Sequence, residues 1–303
     1  MNSPTDYRPP WVTHHHHLGS DLSVRTYPSH GPSHGIILAI HGFRGDHHGL
    51  DLLVRQLPEY TIIVPDLPGF GDSTAFTHAR HDAVTYAGVI DTLRKDLGIP
   101  ASALLLGHSF GSIVAAGYLA AHPGSFASLI LINPICEPAL EGRQALFSRL
   151  AAGYYAAGRL LPERWGLAIL RNRLIVDLMS ATMGTSGDAR TQAYVVDQHR
   201  RYFSKFATRA SLQEAFASSI TDTVRDVAAT VQEPTLLIVG EVDDLGSVPG
   251  QYSLAATFPQ AWIEIIAGVG HLIHYERPRT AARLISNFVD ARTTAGPAGR
   301  PAR

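Results

Sequence analysis

Gly107-His108-Ser109-Phe110-Gly111 stands between an apolar run at residues 103–107 (ALLLG) and a small-sided stretch at residues 113–121 (IVAAGYLAA). The first reads as a buried strand, and the second reads as a helix packed closely on it. A serine between them occupies a turn too sharp for ordinary backbone angles. Gly107 and Gly111 lack side chains because the chain two residues to either side of the serine comes too near for a Cβ. The hydroxyl is left at the carboxyl end of the strand, where the helix N-terminus faces any negative charge that develops. A strand covered by such a helix belongs in a sheet layered with helices.

The rest of the chain supplies that sheet. Residues 21–27, 35–41 (GIILAIH), 61–66 (TIIVPD), 128–133 (SLILIN), 235–240 (TLLIVG) and 262–267 (WIEIIA) are rich in β-branched residues and Leu. Most are continuously apolar instead of alternating, which marks strands covered on both faces in a parallel sheet. Residues 21–27 and 35–41 are expected to pair across the turn-rich PSHGPSH. Helices fit at 50–57, 81–97, 109–121, 249–258 and 278–291, so the chain reads as a βαβ series. The series breaks once. Residues 134–220 hold no strand pattern; Phe147, Leu150, Tyr154, Ala157 and Leu161 mark one helical face, ended by Pro162. Residues 165–179 read as a single helix with two apolar faces, one of them, through Leu170 and Leu174, expected to cover the serine.

Three further loops follow predicted strands in a telling order. After GIILAIH comes His41-Gly42-Phe43-Arg44-Gly45, whose amide at Phe43 is placed to face that of Phe110 as a pair of oxyanion donors. After TLLIVG come Glu241, Asp243 and Asp244, and after WIEIIA comes Gly268-Val269-Gly270-His271. Serine, acid, histidine is the chain order of one hydrolase architecture and differs from that of chymotrypsin-like and subtilisin-like enzymes. With these loops, with residues 66–73 (DLPGFGDS) and with residues 271–278 (HLIHYERP), the chain resembles the α/β-hydrolase superfamily over roughly residues 21–291.

That resemblance implies an α/β fold with a mostly parallel central sheet flanked by helices and a helical cap inserted after the sixth strand. It makes Ser109 the nucleophile, His271 the general base and Asp243 the acid, with the amides of Phe43 and Phe110 as the oxyanion hole. Asp243 is preferred over Asp244 and Glu241 by its spacing from Gly240. The implied activity is that of a serine hydrolase, a carboxylic ester hydrolase, which cleaves an ester, thioester or related acyl bond of a small, fairly apolar substrate through an acyl-enzyme. Alternatives with the same triad are C–C bond hydrolysis and acyl transfer, and a further one is a non-catalytic ligand-binding protein of this fold. Ser109 argues against epoxide opening and dehalogenation, which place Asp at the nucleophile. Arg44 reads as a solvated or salt-bridged residue of the rim. His41, His47, His48, His108 and His274 lie around that rim, yet no pair has HExxH spacing or a convincing carboxylate partner, so no metal and no cofactor is expected.

Composition narrows the partners. Lys and Arg number 25 against 26 Asp and Glu, a net charge of -1 that leaves no basic field to hold nucleic acid. The expected partner is a small-molecule substrate, and oligomeric state is left open. Cys136 is the single cysteine, which excludes an intramolecular disulfide. No apolar run reaches the ~18 residues of a membrane span and no signal-peptide pattern opens the chain, so the expectation is a cytoplasmic protein. Residues 1–20, with the run His14 to His17, read as a flexible arm and residues 293–303 as a flexible tail. The core is then 21–133 and 221–292, with the cap at 134–220.

Overall fold

A computed structural model describes residues 8–138 and 145–295. Its strands are β1 Trp11–His17, β2 Ser20–Tyr27, β3 Ile36–Ile40, β4 Thr61–Pro65, β5 Leu104–His108, β6 Ser128–Ile132, β7 Thr235–Gly240 and β8 Ala261–Ile266. They form one sheet in the order β1-β2-β4-β3-β5-β6-β7-β8. Pairing is parallel from β4 through β8 and antiparallel for β1 with β2 and β2 with β4. Strands β5, β6 and β7 are buried at every position, as the continuous apolar runs require.

Helices cover both faces. On one side, α2 (Ala83–Asp96), α3 (Phe110–Ala121) and α9 (Val248–Thr257) bury residues such as Ile90, Val114 and Leu254 against Leu105 and Leu129. On the other, α1 (Asp51–Val54), α10 (Ile273–Glu276) and α11 (Pro278–Ala295) bury Leu53, Ile273 and Ile285 against Leu106 and Ile130. Between β6 and β7 lie α4 (Ala145–Leu160), α5 (Glu163–Leu170), α6 (Arg173–Met183), α7 (Ala189–Tyr202) and α8 (Arg209–Thr221). Tyr155, Leu170, Phe206 and Phe216 from this stretch share a core with Phe70 and Phe110. The backbone joins as well, through Gly71 N–H to Lys205 O and Ala207 N–H to Gly69 O.

Four expectations need correction. Residues 11–17 of the supposed arm are strand β1, paired with β2 from Trp11↔Thr26 to His17↔Ser20. The two strands turn at Leu18 (φ 48°) and Gly19 (φ 79°), a two-residue loop with both central residues left-handed, which matches the twist of a hairpin. Strands β2 and β3 are not paired with each other; β4 lies between them, because the long connection through PSHGPSH lets β3 enter parallel to β4. Residues 165–179 are two helices, broken at Asn172, whose side chain caps α6 by accepting from the Leu174 amide. Finally, α11 takes in residues 293–295 of the supposed tail. The remainder of the tail, and residues 1–7 of the arm, lie outside the described residues.

Candidate active site

Ser109 closes β5 and opens α3 with φ 53° and ψ -120°, a left-handed conformation that a serine adopts only under constraint. The constraint is close packing on both sides. A Cβ on Gly107 would stand 2.3 Å from Gly111 O, and one on Gly111 would stand 2.3 Å from Ile40 O. Glycine at 107 therefore lets the turn close on itself and glycine at 111 lets it press against β3, as the motif predicts.

His271 lies in the loop after β8, with Nε2 2.8 Å from Ser109 Oγ. Its Nδ1 is 3.0 and 3.1 Å from the two carboxylate oxygens of Asp243. Asp243 is buried where Glu241 and Asp244 are exposed. Glu241 is used elsewhere, accepting from the Gly268 amide at 2.9 Å. Of the three acidic candidates, the structure brings only Asp243 to the histidine.

Sequence reasoning missed the residues that hold this loop. Asn133, buried at the end of β6 with φ 43°, donates to Gly270 O (2.9 Å) and accepts from the Gly240 amide (2.7 Å). It thereby ties the strand that carries Asp243 to the peptide before His271. From the opposite side, the Gly270 amide donates to Thr185 Oγ1 (2.8 Å), whose hydroxyl donates to Glu276 Oε2 (2.9 Å). Thr185 belongs to the stretch between β6 and β7, so that insert helps to position the histidine. Glu276 sat in plain view in HLIHYERP, but its partner lies 91 residues away.

The two oxyanion candidates flank the serine. Phe110 is the first residue of α3, and its amide belongs to the turn for which a helix offers no carbonyl of its own. Phe43 lines the cavity beside Ser109, and its neighbour Gly42 is so close that a Cβ there would stand 3.2 Å from Ser109 Cβ. The cavity holds about 50 Å³ and is walled by His41, Phe43, His108, His199, His271 and His274 among others. Burial, reinforced by His271, pushes the His108 imidazole down to about 3. Burial also carries His274 well below the usual histidine range. These rings are neutral, polar walls.

Two readings of the rim change. Arg44 is not solvated and, among the described residues, not salt-bridged: it is 2% exposed and donates to Phe203 O (2.9 Å), Leu170 O (2.9 Å) and Tyr155 Oη (3.1 Å). It fastens the loop carrying Phe43 to α4, α5 and the end of α7. Two of the five histidines do have carboxylate partners, His47 on Asp66 (2.8 Å) and His48 on Asp46 (3.1 Å). Among the described residues, Asp46, His47 and His48 bring potential ligand atoms within 4.8 Å of one another, with both Nδ1 atoms already engaged by these carboxylates. The apolar face expected over the serine also differs: Leu170 is core and Leu174 is exposed, and the insert reaches the cavity through Met183, His199 and Phe203.

A serine on a strand-to-helix turn, a histidine after the last strand and an acid after the strand before it therefore meet at one edge of a mostly parallel sheet. The family model described as alpha/beta hydrolase fold matches residues 35–278, a span that contains all three. The chain belongs to the α/β-hydrolase family. The hydrolase is 26% identical over 300 residues to a human monoglyceride lipase, covering 93% of this chain and 91% of that one. It is 27% identical over 272 residues to the biotin biosynthesis bifunctional protein BioHC of Teredinibacter turnerae, covering 85% of this chain; the hydrolase spans 45% of that relative's length. A thermophilic esterase from Thermogutta terrifontis superposes with a TM-score of 0.73 at 22% identity, covering 94% of this chain and 98% of that one. Among the described residues, no helix is long and apolar enough to cross a membrane.

Proposed function

We propose that this α/β hydrolase cleaves carboxylic esters of small substrates through a covalent acyl-serine. The observation that carries the reading is the unbroken hydrogen-bond chain from Ser109 Oγ through His271 to Asp243. A serine hydroxyl is a weak nucleophile, so the imidazole Nε2 takes its proton as Oγ attacks the ester carbonyl. Asp243 holds the Nδ1–H tautomer and favours the imidazolium that forms. The amides of Phe43 and Phe110 receive the negative charge on the carbonyl oxygen. His271 then returns the proton to the departing alcohol, leaving the acyl group on Ser109, and the same groups direct water at the acyl carbon. Names of relatives such as the monoglyceride lipase support ester chemistry.

In this reading residues 134–220 act as a cap, supported by the contacts of Arg44 and Thr185. A lone, buried Cys136 thiol suits a cytoplasmic setting. The test is a panel of chromogenic esters run with Ser109→Ala as blank, beside diketone substrates and alcohol acceptors. Ester hydrolysis that vanishes in Ser109→Ala, with a fluorophosphonate adduct at Ser109 alone, is the expected result. Turnover restricted to diketones, or product that needs an alcohol acceptor, transfers the site to C–C hydrolysis or acyl transfer. Equal labelling of Ser109→Ala overturns the catalytic reading.

A further inference from the structure

His199, on α7, is fully buried and forms part of the cavity wall beside Ser109. Its Nδ1 lies 2.7 Å from Ser180 Oγ, and that oxygen lies 2.7 Å from Val176 O. A carbonyl only accepts, so the Ser180 proton goes to Val176, and the Ser180 oxygen is left to accept from His199 Nδ1–H. Burial, with the Arg44 guanidinium as a second influence, brings His199 down to about 3, so the ring carries that one proton. Nε2 is consequently a bare lone pair. It is buried and has no hydrogen-bond partner within the described chain. The ring is stacked on Phe203 at 3.8 Å, with the edge of Tyr275 beside it.

Two more buried polar atoms on residues of the same cavity lack a partner among the described residues, Asp46 Oδ2 and His274 Nδ1. Asp46 Oδ1 is occupied by His48, through both its amide (2.9 Å) and its ring (3.1 Å). His199 Nε2 and Asp46 Oδ2 are therefore acceptors that ask for a donor. A buried acceptor without one carries an uncompensated desolvation cost, which a ligand that supplies the donor recovers. An acid group offers only acceptors and does not fit. A cationic amine would suit the Asp46 carboxylate, but at His199 it meets the buried positive charge of Arg44, whose influence already reaches that ring. A neutral hydroxyl satisfies both requirements and fits the small volume.

We propose that the cavity seats a hydroxyl group of the substrate against His199 Nε2, so that the preferred substrates are hydroxylated esters. This rests on the ester-hydrolase reading and names its substrate class. The hydroxyl belongs either to the acyl part or to the alcohol part of the ester, and the test separates the two. Turnover of butanoate esters is compared with that of their 2-, 3- and 4-hydroxy congeners, and turnover of a propyl ester with that of the 2,3-dihydroxypropyl ester of the same acid. At least one hydroxylated member should exceed its deoxy partner in kcat/KM by about tenfold or more. In His199→Phe the preference should shrink toward unity, and in His199→Gln, which retains an acceptor oxygen, part of it should return.

Two readouts do not depend on turnover. Long-range proton–nitrogen spectra should show His199 Nε2 unprotonated and shifting when the favoured ester is added to Ser109→Ala. Calorimetry with that variant should show the hydroxylated ester binding about tenfold more tightly than its deoxy partner. These stand if His199→Phe fails to fold. Equal kcat/KM across every pair, a preference that survives in His199→Phe, a protonated Nε2, or a 4-aminobutanoate ester preferred over the 4-hydroxy one overturns the proposal. If deoxy esters are hydrolysed through Ser109 without hydroxyl preference, this inference falls and the ester-hydrolase reading stands. If no ester is hydrolysed, that reading falls while calorimetry still decides the hydroxyl site.

Discussion

Asp243 and Asp244 follow β7 in a tight turn, closed by the Asp243 amide on Gly240 O (3.2 Å), that separates their side chains, one buried and one exposed. Only Asp243 turns inward, where both its carboxylate oxygens lie within 3.1 Å of His271 Nδ1. Asp243→Asn keeps the shape but presents an amide that can force the wrong imidazole tautomer, and kcat is expected to fall by up to ~10⁴. Asp244→Asn, at an exposed position, should leave kcat/KM near the parent value. Steady-state kinetics on one chromogenic ester decides the matter, and a crippled Asp244→Asn beside a healthy Asp243→Asn would reverse the assignment. Ser109, His271 and Asp243 were legible in the sequence because each follows a strand end marked by glycine. Asn133, Thr185 and Glu276 were not, because their work is done by hydrogen bonds between segments 85 to 137 residues apart. Local pattern carries no trace of such bonds, and an Asn after a strand reads as an ordinary turn residue.

Among the elements, the central strands could be read from continuous apolar runs, whereas β1 could not. Its residues are mostly exposed, so neither face shows the alternation that marks a half-buried strand. Pairing with β2 and two side-chain bonds to α2, His15 with Asp96 (3.0 Å) and His17 with Thr92 (2.8 Å), hold it instead. The break between α5 and α6 was hidden for another reason: apolar spacing continues across it, and the one signal was Asn172 at a capping position. Arg44 shows what anchors these helices to the sheet. Among the described residues its buried guanidinium has no carboxylate partner, and it is stabilised by two carbonyls, one tyrosine hydroxyl and the face of Phe206 at 5.8 Å. Arg44→Met strands those acceptors, at a cost of about 3 kcal/mol. Urea unfolding should register that loss. Amide exchange should quicken in α4, α5 and α7 and stay unchanged in α2; an unaltered insert would show that Arg44 does not fasten it.

Over the whole molecule, the burial that closes the site also fixes how folding responds to acid. His108 and His199 are held at about 3, and His274 is held well below the usual value, each chiefly by desolvation of the charged ring. In the unfolded chain the same rings take a proton near 6.5. Between about 6.5 and 3 the unfolded state therefore binds protons that the folded state refuses, so stability is complete above that window and drains away as pH falls through it. Asp66 adds a second, lower window. Its burial favours the neutral acid, but hydrogen bonds from His47 and the Asp72 amide outweigh this and bring it to about 2. Its contribution is present above the ordinary carboxylate value and is lost as pH falls toward 2. Each buried histidine can contribute about 1 kcal/mol per pH unit once the pH is well below 6.5. The urea midpoint should thus decline steeply between pH 6 and 4.5, before the carboxylates are titrated. His274→Phe, which keeps an aromatic ring against His108 and removes one proton site, should flatten the decline by about 1 kcal/mol per pH unit. A midpoint constant over that range, or a slope identical in His274→Phe, would show that these histidines are protonated in the folded protein and that the cavity wall is charged.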